Sequence, residues 1–435
     1  MIHRIMTLFL PVVFLIFLTV CEESIYSNQH SDENNHTLEG WELIWNDEFD
    51  GDAIDDQKWN KLLWRPGWVN NELQAYTDRD TNVFVQDGNL VLRALIEPGF
   101  FGTDYTGTSY TADYTSGRLN TAGKGEWTYG RFEIRAKLPK GIGSWPAIWM
   151  LGSNISTVGW PHCGEIDIME HVGFDEGNIH ASIHTTDYNH MNGTQKSGQV
   201  IIPTATDSFH VYSLEWDSTY IRYLVDDEPY FFIYNDSNGD EDKWPFNNPQ
   251  YIILNLAVGG DWGGAQGVDN TAFPMNMLVD YVRVYVRTDP ALDVQVTFRV
   301  DMRNETLVGA GVYLSGGTMG AGQPGGIAMS DEDSDGIWEV TLILPINTHY
   351  TYKFRNGYYD YWDGPGWEDA NSLYDCGVGE WNDREITVSD EDLVVGPYCF
   401  SSCAPCENEN SCDTLGDVNN DNVLNILDVV TLVNI

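Results

Sequence analysis

Between residues 41 and 287 the chain is cut into short runs of β-branched and aromatic residues, separated by Gly, Asn, Asp and Pro. Runs at 89–94, 130–137, 209–216, 220–225, 251–258 and 278–286 follow this pattern. No long stretch places apolar residues at helical intervals. Such a chain is restricted to an all-β domain of many strands, folded as a two-sheet sandwich. A break near 287–293 precedes a second series, at 294–300, 311–314, 338–344 and 349–355. It predicts a smaller β-sandwich over 293–400, followed by a cysteine-bearing linker at 401–415.

One run conflicts with plain strand geometry. Residues 164–170 read Gly-Glu-Ile-Asp-Ile-Met-Glu. Alternate strand residues share a face, so Glu165 and Asp167 point together and Glu170 should point away. An extra residue bulged near Met169 would return Glu170 to their side. Three acids would then line one face, with Ile166 and Ile168 on the other. Crowding acids costs repulsion and suits chemistry: one ionised and one protonated carboxyl can cleave a glycosidic bond. A solvated strand edge or a calcium site is the plainer alternative. Trp145 and Trp149, four residues apart, fall on one face and can stack on the flat faces of sugar rings. Core packing is the plainer alternative.

Composition narrows the partners. The 435 residues hold 66 acids against 22 bases, a formal net charge of −44. That surface repels nucleic acid and anionic membranes. Aromatics make up 13% of the chain, with 16 Trp and 23 Tyr, in keeping with carbohydrate handling as well as with aromatic β cores.

Several segments join the acid motif: Asn70-Asn-Glu-Leu-Gln-Ala-Tyr-Thr77, Gly130-Arg-Phe-Glu-Ile-Arg-Ala-Lys137, Trp145-Pro-Ala-Ile-Trp-Met150, Asn255-Leu-Ala-Val-Gly-Gly-Asp-Trp262 and Asp280-Tyr-Val-Arg-Val-Tyr285. In this order they closely resemble glycoside hydrolase family 16, and within it the bacterial laminarinases (endo-β-1,3-glucanases). The resemblance spans 41–286 within a domain read as 41–288. It implies a concanavalin A-like β-jelly-roll sandwich whose concave sheet forms an open cleft. Glu165 would be the nucleophile, Glu170 the general acid/base, and Asp167 would lie between them. On physical grounds Asp167 can hydrogen-bond Glu165, and its charge disfavours a second anion at Glu170. The expected substrate is β-1,3-glucan, cleaved with retention and without a catalytic cofactor. Mixed-linkage β-glucan, a red-algal galactan such as agarose, and non-catalytic glucan binding are the alternatives.

His184 is expected beside the acids. Trp160, Trp262, Asn71 and Arg118 are further subsite candidates. The resemblance also implies a structural calcium ion held by Glu48, the Gly88 carbonyl and Asp280; oxygen ligands from distant segments suit a hard cation.

The ends carry separate signals. Residues 1–21 read as an export signal, basic at His3 and Arg4 and apolar from 5 to 20. Cys21 resembles a lipoprotein box, so lipid anchoring at the outer surface and free secretion both stay open. Residues 22–40 read as a polar tether. In the tail, 416–435, Asp417, Asn419, Asp421 and Asp428 have calcium-loop spacing. The tail resembles half of a dockerin pair, which implies a cohesin-like or cell-surface partner for a monomeric enzyme. Cys376, Cys399, Cys403, Cys406 and Cys412 cluster nearby, and export permits disulfides among them. Tyr358, Tyr359, Tyr361, Trp362 and Trp367 crowd one loop of the second domain, as a sugar platform or as the edge of a spacer domain. Asp331–Asp335 reads as a solvated acidic turn.

Overall fold

The computed structural model describes residues 38–406 apart from 39, 236, 238, 289–292, 310, 320–324 and 360. The export signal, most of the tether, Cys21, Cys412 and the calcium-loop positions Asp417, Asn419, Asp421 and Asp428 lie outside the described residues.

The expected all-β architecture is present. Among the described residues only Ile155–Val158 and Asn270–Ala272 are helical. Two sheets build the first domain. One has seven strands in the spatial order Lys196–Ile201, Asn178–His184, Glu165–Glu170, Ser144–Gly152, Gln250–Val258, Arg118–Asn120 and Asn60–Lys61, all antiparallel. The other, of ten strands, includes Gly130–Lys137, His210–Trp216, Tyr220–Val225, Glu228–Tyr234 and Met275–Arg287. A single apolar core lies between them. Ile148, Met150, Ile252 and Leu254 enter it from the seven-stranded sheet, and Phe132, Ile134, Tyr212 and Val282 from the other.

Strand alternation decides what each face carries. Ile148, Met150, Ile252 and Leu254 are fully buried, while the residues between them face the other way. The inward face supplies the folding free energy, about 1.5–3 kcal/mol for each large aliphatic side chain buried. The outward face is left open for polar and aromatic groups.

A second sandwich follows. One sheet holds Ile337–Pro345, Asp293–Asp301 and Leu393–Cys399; the other holds Ile327–Ala328, Val312–Ser315, His349–Asn356 and Arg384–Thr387. Its core, including Val296, Phe298, Leu314, Leu342, Tyr352 and Phe354, also takes in Tyr220 and Phe232 from the first domain. The two sandwiches therefore pack directly against each other. Arg222 Nη1 donates to Thr348 Oγ1 at 2.5 Å, Arg287 is paired with Asp293, and Phe232 meets Tyr350 edge-on at 5.6 Å. Two disulfides, Cys376–Cys403 and Cys399–Cys406, tie the end of this domain. The two cysteines of Cys403-x-x-Cys406 thus bond outward rather than to each other.

Candidate active site

The register of the acid strand shifts where parity requires it. Asp167 faces Trp149 and Met169 faces Ile148, leaving Ile168 as the additional residue on that side. On the other side, Asp167 faces Ser182 and Glu170 faces His180. Ile166, Ile168 and Met169 are all buried in the core at 0–1% exposure. Burial of two consecutive side chains, Ile168 and Met169, is what turns Glu170 back to the side of Glu165 and Asp167. All three acids line one open cleft of about 660 Å3, with Trp145, Trp149, Trp160, Arg118 and Asn255 among its walls.

Each glutamate meets an indole. Trp160 Nε1 donates to Glu165 Oε2 at 3.1 Å, and Trp145 Nε1 donates to Glu170 Oε1 at 3.0 Å. Asp167 is 4% exposed and accepts from Ser182 Oγ at 2.5 Å. The expected Asp167–Glu165 hydrogen bond is replaced by a bridge through His184. Its Nε2 lies 3.3 Å from Asp167 Oδ2 and 3.8 Å from Glu165 Oε1. Two acids cannot share a hydrogen bond unless one is protonated, whereas an imidazolium can face both.

Burial, then the charge of Asp167, pushes both glutamates up, each to about 8. Burial pulls His184 down, but its hydrogen bond to Asp167 and the charges of Asp167, Glu165 and Glu170 outweigh that and raise it to about 9. Glu165 and Glu170 interact through space, so their protons belong to the pair. Position separates the glutamates: Glu165 has both the His184 charge at 3.8 Å and an indole donor, while Glu170 has only the indole at hydrogen-bonding distance. Of the two, Glu165 is the better placed to ionise and Glu170 the better placed to keep a proton. That division is what a nucleophile and a proton donor require.

The other expected residues fall unevenly. Arg118 lines the cleft although almost wholly buried, its guanidinium 4.0 Å from the Trp64 ring centre and 4.8 Å from that of Trp149. Trp149 Nε1 donates to Asn255 Oδ1 at 2.7 Å. Trp262 stands behind the wall, edge-on to Trp145 at 5.7 Å and to His180 at 5.0 Å. Asn71 is exposed and donates to Asp261 Oδ1 at 2.8 Å; its neighbour Asn70 lines the cleft instead. Both asparagines have positive φ, 49° and 51°, so strand parity does not apply there.

Sequence reasoning missed Glu72, Trp64, Ser182 and His190. Glu72, 7% exposed, accepts from Gln74 Nε2 at 2.7 Å and Tyr76 Oη at 3.1 Å. Its segment, 70–77, was already conspicuous, but nothing local told an inward carboxylate from an outward one.

The expected calcium donors are otherwise engaged. Glu48 accepts from Arg283 Nε and Nη2 at 2.9 and 2.8 Å, and Asp280 is paired with Arg135. Each carboxylate already faces a cation, so these residues as placed do not fit a calcium ion. Gly88 sits in a turn with φ 72°.

A family model described as Glycosyl hydrolases family 16 matches residues 70–283. A β-glucanase of Rhodothermus marinus is 49% identical over 271 residues, 60% of this chain and 90% of that protein. The solved laminarinase of the same organism superimposes with a TM-score of 0.53 at 48% identity, covering 57% of this chain and 98% of that one. SCLam, a non-specific endo-β-1,3(4)-glucanase solved with 1,3-β-D-cellotriosyl-glucose, gives a TM-score of 0.54 at 47% identity over 57% of this chain and 96% of that one. The jelly-roll sandwich of the first domain is shared with these structures.

Proposed function

The chain belongs to glycosyl hydrolase family 16, and from that premise we propose that it is an exported retaining endo-hydrolase of β-1,3-glucan. The observation that carries the reading is the bulged strand, which sets Glu165, Asp167 and Glu170 on the floor of one aromatic-walled cleft. The likeness to the laminarinase and β-glucanase of Rhodothermus marinus supports the substrate.

In this mechanism Glu170 gives its proton to the glycosidic oxygen while a Glu165 oxygen attacks the anomeric carbon. The C–O bond to the leaving sugar breaks as the glucosyl–Glu165 ester forms. Glu170, now a carboxylate, takes a proton from water, and the hydroxide so formed displaces Glu165. His184 and the Trp160 indole hold the Glu165 anion before attack and after release. Asp167 keeps His184 charged and keeps the proton on Glu170. Trp145 aims the Glu170 carboxyl through its own N–H.

An open cleft across a sheet admits a chain at any point, which supports internal cleavage. Export is supported by the apolar stretch at 5–20 and by the two disulfides, which belong to oxidising compartments. Mixed-linkage β-glucan is the second substrate reading, favoured by the likeness to SCLam, which is named for both linkages.

The test is reducing-end release from laminarin, lichenan and agarose side by side, with proton NMR of the first-formed anomer. Rapid release from laminarin with a β anomer is expected. Release confined to agarose, or an α anomer formed first, would overturn the reading.

A further inference from the structure

The second sandwich presents an aromatic surface that the hydrolytic mechanism does not use. Its inner core takes Tyr350, Tyr352 and Phe354 from strand His349–Asn356. The alternate residues Lys353 and Arg355 point outward from that core, yet they are only 5% and 0% exposed. The loop at 357–383 covers them. Arg355 donates to the carbonyls of Pro365, Tyr359 and Tyr361 at 3.2, 2.9 and 3.0 Å, and its guanidinium lies 4.2 Å from the Trp367 ring centre. Lys353 Nζ donates to the Trp381 carbonyl.

The same loop is held at two further points. Glu368 makes a buried pair with Arg384 at 2.6 Å and accepts from Phe354 N at 2.9 Å. Cys376 is joined to Cys403. A loop anchored this heavily would be expected to bury its rings. Instead Tyr358, Tyr361, Trp362, Tyr374 and Trp381 are 48–75% exposed. Trp362 and Trp367 lie nearly parallel, 8° apart with centres 5.9 Å from each other, and the Trp367 N–H donates to the Trp362 carbonyl at 3.0 Å. Large exposed rings on a fixed support mark an interaction surface, and prior rigidity lowers the entropic cost of binding.

We propose that the loop at 357–383 is a second glucan-binding site, on which Tyr361 and Trp362 stack neutral glucosyl rings of the polymer that the cleft cleaves. The inference rests on the proposed function for the identity of that polymer. Two observations commit the site to a neutral polysaccharide. Flat aromatic faces with N–H and O–H rims match the C–H faces and hydroxyls of a pyranose. The chain's net charge of −44 disfavours polyanions such as nucleic acid or sulfated polymers. The two sandwiches are fixed to each other by direct packing, since Tyr220 and Phe232 of the ten-stranded sheet belong to the core of the second domain. A polymer held on the platform stays tethered to the chain that carries the acids, which raises its effective concentration.

The test uses the full chain carrying Glu165→Gln, so that bound polymer is not degraded. Retention on insoluble β-1,3-glucan is compared with that of the same chain carrying Tyr361→Ala and Trp362→Ala. The cleft is identical in both chains, so any difference in retention comes from the platform. Retention should fall about tenfold or more in the alanine variant, since each lost ring stack contributes a few-fold. Tyr361→Phe alone and Trp362→Phe alone should each keep most of it, and all variants should melt alike. Equal retention in the alanine variant overturns the proposal, as does loss confined to insoluble agarose or cellulose. Failure of the unsubstituted chain to release sugar from laminarin would overturn the proposed function instead, and leaves the retention measurement to decide the platform separately.

Discussion

The two sheets of the first domain each bury charged side chains, and they treat them in opposite ways. On the ten-stranded sheet Glu215 is 3% exposed and lies between two arginines. Arg131 Nη1 donates to it at 2.6 Å, and Arg222 Nε donates at 3.1 Å with Nη2 closing the pair. Burial raises the Glu215 carboxyl, but Arg222 and Arg131 together pull it below its ordinary value. On the seven-stranded sheet three acids share one histidine, and burial wins for both glutamates. The first arrangement is compensated and holds the structure at one geometry. The second leaves charge uncompensated, so a proton can be moved at near-neutral pH. A buried acid is informative about chemistry only when its counter-charges are counted.

The largest effect that sharpens this contrast is on turnover. Glu165→Gln should lower kcat on laminarin by about 10^4-fold or more, since a covalent step is removed, while circular dichroism and melting temperature hold or improve. A variant retaining a tenth of the activity would break the assignment. Glu215→Gln should do the reverse. It leaves two buried arginines short of a partner and should cost about 3–5 kcal/mol of stability, read by urea denaturation, with kcat at low temperature little changed.

The pH dependence of stability should differ between the sheets as well. Glu165 and Glu170 have folded-state values raised to about 8, against an ordinary value of 4.5. Their contribution is present in full below the unfolded value and is lost as pH rises toward 8. The Glu165→Gln/Glu170→Gln chain should therefore gain a few degrees of melting temperature over the parent at pH 8, and little at pH 4.5. Glu215, held low, contributes stability that is lost as pH falls through its folded value. Its Gln variant should be closest to the parent in acid. Calorimetry across pH 4–8 checks both signs.

The smallest effects concern the two indole donors. Each N–H hydrogen bond favours the charged form of its glutamate. Trp145→Phe should raise the Glu170 value and move the alkaline limb of kcat/KM upward. Trp160→Phe should raise the Glu165 value and move the acid limb upward. Each change at the optimum should stay within about tenfold to a hundredfold. Movement of the same limb in both variants would mean that the roles of the two glutamates are not divided as described.

The site was legible in the sequence to an uneven degree, for physical reasons. Two-residue periodicity is a local rule, so the conflict at Glu170 and its resolution near Met169 could be read directly from 164–170. The same rule placed Trp145 and Trp149 together on the cleft. It offered no guide at Asn71, where two successive residues of positive φ turn the chain and give the cleft to Asn70. It was silent about Glu72, whose burial depends on Gln74, Tyr76 and the closing loop at 259–260. Glu48 and Asp280 illustrate a different limit. A carboxylate looks the same in sequence whether a metal or an arginine faces it, and here Arg283 and Arg135 come from strands paired only in the folded sheets.

Alternation, turn residues and the one misfit strand were enough to determine two β-sandwiches and an acid-bearing face, because those properties depend on neighbours in the chain. Which carboxylate meets His184, which meets an arginine, and which cysteine meets which were decided only by tertiary structure. Electrostatic character in a low-dielectric interior depends on groups a few ångströms away through space, and Arg131 and Glu215 are 84 residues apart along the chain.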